Sequence, residues 1–90
     1  MAHVAFTPHL SRYFPDLRAA DVEADTVAGL VAELERAHPG LASYLVDERG
    51  RLRQHVNVFV DGHAVRDRER LLDALGRGSQ VYVVQALSGG

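Results

Sequence analysis

Cysteine and lysine are both absent from this sequence. Without cysteine there are no disulfides, no thiolate metal sites and no cysteine nucleophile. No apolar run approaches the roughly 18 residues that a membrane-spanning helix needs, and the first residues lack the basic start and apolar centre of a signal peptide. The net charge of −2 gives no reason to expect a nucleic acid or an anionic membrane as a partner. We therefore expect a cytoplasmic protein that binds neither.

The composition that is present is typical of a globular domain. Hydrophobic residues make up 47% of the sequence and charged residues 24%. A chain of 90 residues is long enough for one domain with a small core. We expect residues 1–90 to form a single domain.

One amphipathic helix is predicted over residues 26–37. The pair Asp25-Thr26 is an N-cap signal, because its side-chain oxygens can accept hydrogen bonds from the first helical N–H groups. Apolar residues then follow the helical spacing i, i+3, i+4, i+7, while charged residues lie mainly on the other side. The sequence His38-Pro39-Gly40 ends the helix, since proline cannot continue it. The side chains predicted to be buried are Val27, Leu30, Val31 and Leu34.

The strongest strand signal lies at residues 54–60. Valines alternate there with His55, Asn57 and Phe59, which is the period of a strand with one buried face. Asp61-Gly62 follows as a hairpin turn. Residues 81–86 are predicted to be the last strand by the same pattern. The valines predicted to be buried in these two strands are Val56, Val58, Val60, Val81 and Val83.

Weaker signals fill the rest of the chain. They predict short strands at 4–7, 20–24 and 64–65, helical turns at 41–46 and 71–75, a loop at 10–17 and a mobile charged connection at 47–53. The resulting order is strand, strand, helix, strand, short strand, strand. This order predicts an α+β domain of the β-grasp type, in which one mixed sheet packs on one main helix.

The sequence ends in Leu87-Ser88-Gly89-Gly90, directly after the last predicted strand. At about 7% glycine usage, two glycines occupy such a position by chance in roughly 0.5% of chains. One alternative is a disordered glycine tail without a function. We expect residues 87–90 to form an extended tail that carries the function.

With this strand order and this tail, the chain resembles the ThiS/MoaD family of sulfur carriers, which share the ubiquitin-like β-grasp fold. The stretches that carry the resemblance are Asp25-Thr26-Val27, His38-Pro39-Gly40-Leu41, Val56-Asn57-Val58-Phe59-Val60-Asp61-Gly62, Gly78-Ser79-Gln80-Val81 and Ser88-Gly89-Gly90. They extend over nearly the whole chain.

The resemblance implies a protein cosubstrate and not an enzyme. In that family an E1-like adenylating enzyme uses ATP to convert the C-terminal carboxylate to an acyl-adenylate. Sulfur from a persulfide or sulfide then gives a thiocarboxylate, which donates sulfur to a downstream sulfur-accepting enzyme. On this chain the reacting carboxylate is that of Gly90, and Gly89 beside it also lacks a Cβ, so the tail fits a narrow partner channel. No cofactor is expected to bind the chain itself.

An apolar surface beside the tail is predicted from the strand alternation. If the valines face the helix, then Phe59, Tyr82 and Val84 point to the open side of the sheet. Together with Leu87 and Ser88 they form the predicted partner-binding surface, because exposed apolar patches with aromatic anchors are typical of protein interfaces. The related carriers dock on their activating enzyme through this side of the sheet.

The remaining polar residues predict neither a catalytic site nor a metal site. The five histidines are scattered, with no pair at the spacing of helical metal ligands. Asp47, Glu48 and Asp61 fall in predicted turns, where acidic side chains serve local hydrogen bonding. The sequence has no Ser-His-Asp arrangement and no phosphate-binding glycine loop, so the ATP is expected to be bound by the partner.

The sequence does not decide which pathway accepts the sulfur, and two other functions are compatible with it. The sulfur is destined for cysteine, molybdopterin or a secondary metabolite, and residues 53–62 resemble the cysteine-type carriers somewhat better. A metalloprotease that trims the C-terminus is a further partner of that type. The other functions are a ubiquitin-like modifier conjugated to lysines and a plain β-grasp interaction domain whose glycines are incidental.

Overall fold

The fold consists of a five-stranded mixed sheet with one main helix on one face. The computed structural model describes residues 1–85. Its strands are β1 Ala2–Phe6, β2 Ala20–Val22, β3 Val56–Val60, β4 His63–Ala64 and β5 Gln80–Gln85. They lie in the order β2-β1-β5-β3-β4. β1 and β5 are parallel, whereas the other neighbouring strands are antiparallel. This topology confirms the predicted β-grasp arrangement.

The helices are a 3₁₀ helix Pro8–Arg12, the main helix α1 Val27–Ala37 and a short helix α2 Ala42–Leu45. The 3₁₀ helix occupies part of the segment that was predicted to be a loop. α2 lies within the predicted helical turn. Among the described residues, no helix is both long enough and apolar enough to cross a membrane.

The main helix α1 begins and ends where the sequence predicts. The Oγ1 atom of Thr26 accepts a hydrogen bond from the N–H of Gly29 at 3.1 Å, which is the predicted N-cap. At the other end the N–H of His38 donates to the carbonyl of Leu34, and Gly40 follows with a φ of 97°. The predicted apolar face is buried, with Val27, Leu30, Val31 and Leu34 all in the core.

The strands β3 and β5 contribute alternate valines to the same core. Val58 lies opposite Val83 in the antiparallel pair, and both are 1% exposed. The buried positions predicted for these strands are confirmed for Val56, Val58, Val81 and Val83. Val60 is the exception, because it is only partly buried. It is the last residue of β3, so its side chain packs at the margin of the core beside the hairpin turn.

The hairpin turn between β3 and β4 is tied to the beginning of β5. Asp61 and Gly62 have φ values of 50° and 87°, and two successive positive values are the signature of a type I′ turn. The carboxylate of Asp61 accepts the N–H of Gln80 at 2.8 Å, and the N–H of Asp61 donates to the carbonyl of Gln80 at 2.7 Å. This pair of bonds fixes where β5 starts relative to β3.

The prediction of a helical turn at residues 71–75 is wrong. The segment is irregular: Leu71 has a φ of 57°, Leu71 and Leu75 are buried, and Leu72 is 53% exposed. The carbonyl of Leu71 accepts the N–H of Ala28 in the first turn of α1 at 2.7 Å. First-turn N–H groups have no partner inside their own helix. The segment supplies this partner, whereas a helix in its place would use its carbonyls internally.

Two aspartates hold this segment in shape. The carboxylate of Asp73 accepts N–H groups of Arg66 and Asp67, and its carbonyl accepts the N–H of Val27. The carboxylate of Asp67 accepts the N–H groups of Glu69, Arg70 and Leu72. The bond from Arg70 is the main cause that lowers the pKa of Asp67, and those from Leu72 and Glu69 act in the same direction against partial desolvation.

Residues 47–53, predicted to be a mobile connection, form a turn organised by Asp47. Its carboxylate accepts the N–H of Arg49 at 2.9 Å and the N–H and Nε of Arg51 at 3.0 Å each. An isolated β-bridge between Val46 and Leu52 closes the turn. The arginine side chains of this region are thereby given defined positions near the start of β3.

We predict that truncation of Leu30 or Leu34 to alanine lowers the free energy of unfolding by about 2–5 kcal/mol, because the close-packed core cannot collapse around the lost side chain. Urea unfolding followed by circular dichroism measures the change. The control Arg36→Ala alters an exposed residue of the same helix and should cost less than about 0.5 kcal/mol. Losses below about 1 kcal/mol at both leucines would contradict the buried face.

We predict that Asp67→Asn lowers the urea midpoint at pH 7, since a carboxylate accepts N–H bonds more strongly than an amide oxygen. The folded state lowers the pKa of Asp67. Its contribution to stability is therefore present above the unfolded pKa of about 3.9 and is lost as the pH falls through the folded pKa. The variant should accordingly lose less stability than the wild type between pH 5 and pH 3. Parallel pH profiles for the two proteins would contradict the role of Asp67.

Candidate functional site

The sheet face that α1 leaves uncovered carries an apolar row across four strands. Register places Ala5 of β1 beside Tyr82 of β5, Tyr82 beside Phe59 of β3, and Phe59 beside Ala64 of β4. Tyr82 is 44% exposed, and Phe59 is partly exposed. Because side chains alternate along a strand, these residues face away from the buried valines. The predicted strand register is therefore the one observed.

A shallow pocket of about 510 Å³ lies in this face. Phe59, Tyr82 and Ala5 line it together with the polar residues His3 and Gln80. The aromatic side chains supply apolar area of the kind that anchors protein interfaces. The face thus has the shape and composition of a contact surface for another protein.

Polar groups border the apolar row on both sides. At the end where β5 starts, the Nδ1 atom of His3 lies 3.0 Å from the carboxylate of Asp21. At the end where β5 finishes, the amide oxygen of Asn57 accepts a hydrogen bond of 3.0 Å from Arg68. An apolar centre with a polar border is the common anatomy of protein interfaces.

Strand β5 is held on both sides up to its last residue. On one side Gln85 is paired with Val56 of β3. On the other side the N–H of Thr7 donates to the carbonyl of Val83 at 3.1 Å, and the hydroxyl of Thr7 accepts the N–H of Gln85 at 3.2 Å. The last described residue, Gln85, is therefore still paired in the sheet, next to the apolar row.

The predicted site residues fall into two groups. Phe59, Tyr82 and Val84 belong to β3 and β5, and pairing of Val84 with Asn57 places it on the same face as the apolar row. Their role in partner binding stays a prediction. The other predicted residues, Leu87, Ser88, Gly89 and Gly90, lie outside the described residues.

The first strand also contributes to this surface, which the sequence pattern did not predict. His3 and Ala5 line the pocket, whereas Ala2 and Val4, which alternate with them along β1, are fully buried. The alternation was present in the sequence, but short side chains such as alanine give it little contrast. Within residues 1–85, no three histidine, aspartate or glutamate side chains lie close enough together to hold a metal ion.

Comparison with protein-family models identifies the family. The model described as the ThiS family matches residues 12–90, which include both β3 and β5 and the final glycines. This chain belongs to the ThiS family. The match agrees with the resemblance that the sequence motifs indicate.

Curated relatives and solved structures agree with this family. The sulfur carrier protein CysO of Mycobacterium tuberculosis (strain H37Rv) is 28% identical over 75 residues, which cover 81% of each chain. The same figures apply to CysO of Mycobacterium bovis.

Two solved structures illustrate how far the fold is shared. The Amycolatopsis orientalis BexX/CysO complex contains a chain that superposes with a TM-score of 0.85 over 100% of both chains, at 23% identity. SAMP1 from Haloferax volcanii superposes with a TM-score of 0.76 at 28% identity, covering 99% of this chain and 98% of that chain. These likenesses support the ubiquitin-like β-grasp fold.

Proposed function

We propose that this chain is a sulfur carrier whose reacting group is the C-terminal carboxylate of Gly90. The observation that carries the proposal is the ThiS family match, which extends through Gly89 and Gly90. The curated relatives from two mycobacteria are named sulfur carriers. The position of Gln85 supports the proposal, because the central strand β5 ends at this residue beside the open apolar face.

The proposed chemistry begins with activation of the carboxylate, which is a poor electrophile. A carboxylate oxygen of Gly90 attacks the α-phosphorus of ATP, pyrophosphate leaves, and an acyl-adenylate forms. Sulfide then attacks the acyl carbon and displaces AMP, which leaves a thiocarboxylate. Glycine at both final positions keeps the acyl carbon unhindered, since it has no Cβ.

The chain itself supplies no catalytic groups for these steps. Its sequence has no phosphate-binding loop, so ATP is bound by an E1-like adenylating enzyme, and the carrier acts as its cosubstrate. A downstream enzyme accepts the sulfur, and in a cysteine-type pathway a metalloprotease trims the C-terminus. We propose that the carrier acts in the cytoplasm, where ATP is available.

The open face of the sheet is the proposed docking surface for the adenylating enzyme. Phe59 and Tyr82 supply aromatic anchors, and Val84 extends the surface toward the end of β5. We propose that Leu87 and Ser88, which lie outside the described residues, also contact the enzyme. Docking here would bring the tail to the partner, because β5 ends at the border of this face.

A ubiquitin-like modifier is the second candidate function. The observation that favours it is the superposition on SAMP1, a small archaeal modifier protein, at 28% identity. Conjugation to lysines starts from the same acyl-adenylate, so the two functions differ only in the group that attacks the acyl carbon. The mycobacterial relatives favour the sulfur carrier.

We predict that removal of Gly90 abolishes sulfur loading without unfolding the domain, because the described residues 1–85 contain the five-stranded sheet and a well-buried core. Addition of one residue after Gly90 should block loading as well, since it displaces the reacting carboxylate. The measurement is intact mass after incubation with the adenylating enzyme from the same genome, ATP and sulfide. Omission of ATP is the control.

Sulfur loading that persists without Gly90 would contradict the carrier proposal, as would a wild type that no cognate adenylating enzyme loads. Products of high mass in which the chain is joined to lysines by amide bonds, formed under the same conditions, would favour the modifier instead.

We predict that Phe59→Ala weakens binding to the adenylating enzyme by roughly tenfold or more, the usual effect of losing an aromatic anchor. The domain should stay folded, because Phe59 lies outside the buried core. Leu72→Ala is the matched control, since Leu72 is also apolar and exposed but belongs to the segment that contacts the first turn of α1. Equal dissociation constants for both variants would contradict the proposal that the enzyme docks on the open face.

A further inference from the structure

A second surface lies at the end of the sheet where β5 finishes. It is a cleft of about 690 Å³ beside the first residues of β3. The pairing of Val56 with Gln85 places the start of β3 next to the end of β5. The ionisable side chains that line the cleft are those of Asp47, Arg51, Arg53, His55, Arg68 and Glu69.

Arg68 is fixed at this cleft by neutral oxygen atoms. The short strand β4 pairs only with Phe59 and Val60, so the first part of β3 has no strand beside it on that edge. The guanidinium group of Arg68 occupies this edge and donates to the carbonyls of Arg53 at 2.7 Å and Val56 at 2.9 Å. Within residues 1–85, no carboxylate lies within salt-bridge distance of Arg68.

Arg53 also lacks a carboxylate partner among the described residues. Its Nε donates to the carbonyl of Ser43 at 2.8 Å, which orients the side chain and leaves its terminal nitrogens as donors. Arg51, by contrast, is paired with Asp47 at 3.0 Å. Since the charges of Arg51 and Asp47 balance each other, the guanidinium groups of Arg53 and Arg68 share the cleft with one other carboxylate, that of the exposed Glu69.

We propose that this cleft binds carboxylate side chains of the adenylating enzyme that receives the tail. The inference rests on the proposed function, because it takes the partner from there. Partly buried guanidinium groups held only by neutral oxygens gain from an external anion, and arginine prefers planar carboxylates. The cleft adjoins the open face through Asn57, which accepts a hydrogen bond from Arg68. A partner seated on that face therefore reaches the cleft as well.

The arrangement favours separate carboxylates over one phosphate group. Arg68 already donates to Asn57 and to two carbonyls, and the Nε of Arg53 already donates to the carbonyl of Ser43. A single phosphate is bound tightly when several donors converge on it. The donors that remain belong to two different side chains, which match separate carboxylates on a protein surface.

The test introduces a charge at Gln54, which is an exposed residue of the cleft. Its side chain makes no hydrogen bond within residues 1–85. Gln54→Glu should weaken binding to the adenylating enzyme by roughly fivefold, because the new carboxylate repels the carboxylates of the partner. Gln54→Arg should strengthen binding, because the new guanidinium group attracts them. Arg53→Gln should weaken binding by roughly tenfold through loss of a charge-assisted hydrogen bond. The control is Arg77→Gln, an exposed arginine just before β5, at the other end of the sheet.

Dissociation constants are measured with the full chain and the adenylating enzyme from the same genome, without ATP, at low and high salt. High salt should reduce the difference between the two Gln54 variants. Equal constants for Gln54→Glu and Gln54→Arg, or effects no larger than that of Arg77→Gln, would overturn the inference. Tighter binding that depends on added phosphate alone would overturn it too. Sulfur loading is assayed separately, so a wild type that binds but is not loaded refutes the proposed function and leaves the binding comparison decisive for the cleft.

Discussion

The placement of β5 between β1 and β3 is the constraint on which the rest of this structure depends. β1 pairs with it from Gln80 to Val83, and β3 pairs with it from Val81 to Gln85. A strand in the middle of a sheet cannot shift its register by one residue without exchanging its buried and exposed faces. The position of Gln85 at the end of β5 is consequently fixed by the whole core.

Different polar side chains form the hydrogen bonds at the two ends of β5. At its start, Asp61 pairs with Gln80 on both backbone and side chain. At its end, Thr7 completes the pairing on one side, and Arg68 occupies the uncovered edge of β3 on the other. These contacts keep the apolar row and the basic cleft in a fixed relation to the last residue of the sheet. In our account the folded domain positions and presents the tail, while the chemistry belongs to the tail and its partner.

Much of this architecture could be read from the sequence, because its main elements have strong periodicity. The cap at Thr26 and the helical spacing after it located α1, and alternating valines located β3 and the core side of β5. The segment at residues 71–75 could not be predicted in this way. Its leucines have the spacing of a helical turn. The carbonyl of Leu71, however, accepts a hydrogen bond from the N–H of Ala28, a partner that only the tertiary structure brings near.

The same reason explains what sequence reasoning found and missed at the site. Phe59 and Tyr82 follow from strand alternation and are neighbours in the sheet. The contacts of Arg68 with Arg53 and Val56 join residues more than ten positions apart, and no local pattern marks them. Val60 was predicted to be buried because the alternation includes it, yet the strand ends there and the core does not extend over it.

The most direct test of the central claim is the mass of the C-terminal peptide after incubation with the adenylating enzyme, ATP and sulfide. Exchange of one oxygen for sulfur adds about 16 Da, which is nearly the mass that methionine oxidation adds, so the gain must be assigned to a fragment. The account predicts the gain on the fragment that contains Gly89 and Gly90, only with ATP present. A gain confined to the fragment with Met1, or an unchanged C-terminal fragment, would contradict it.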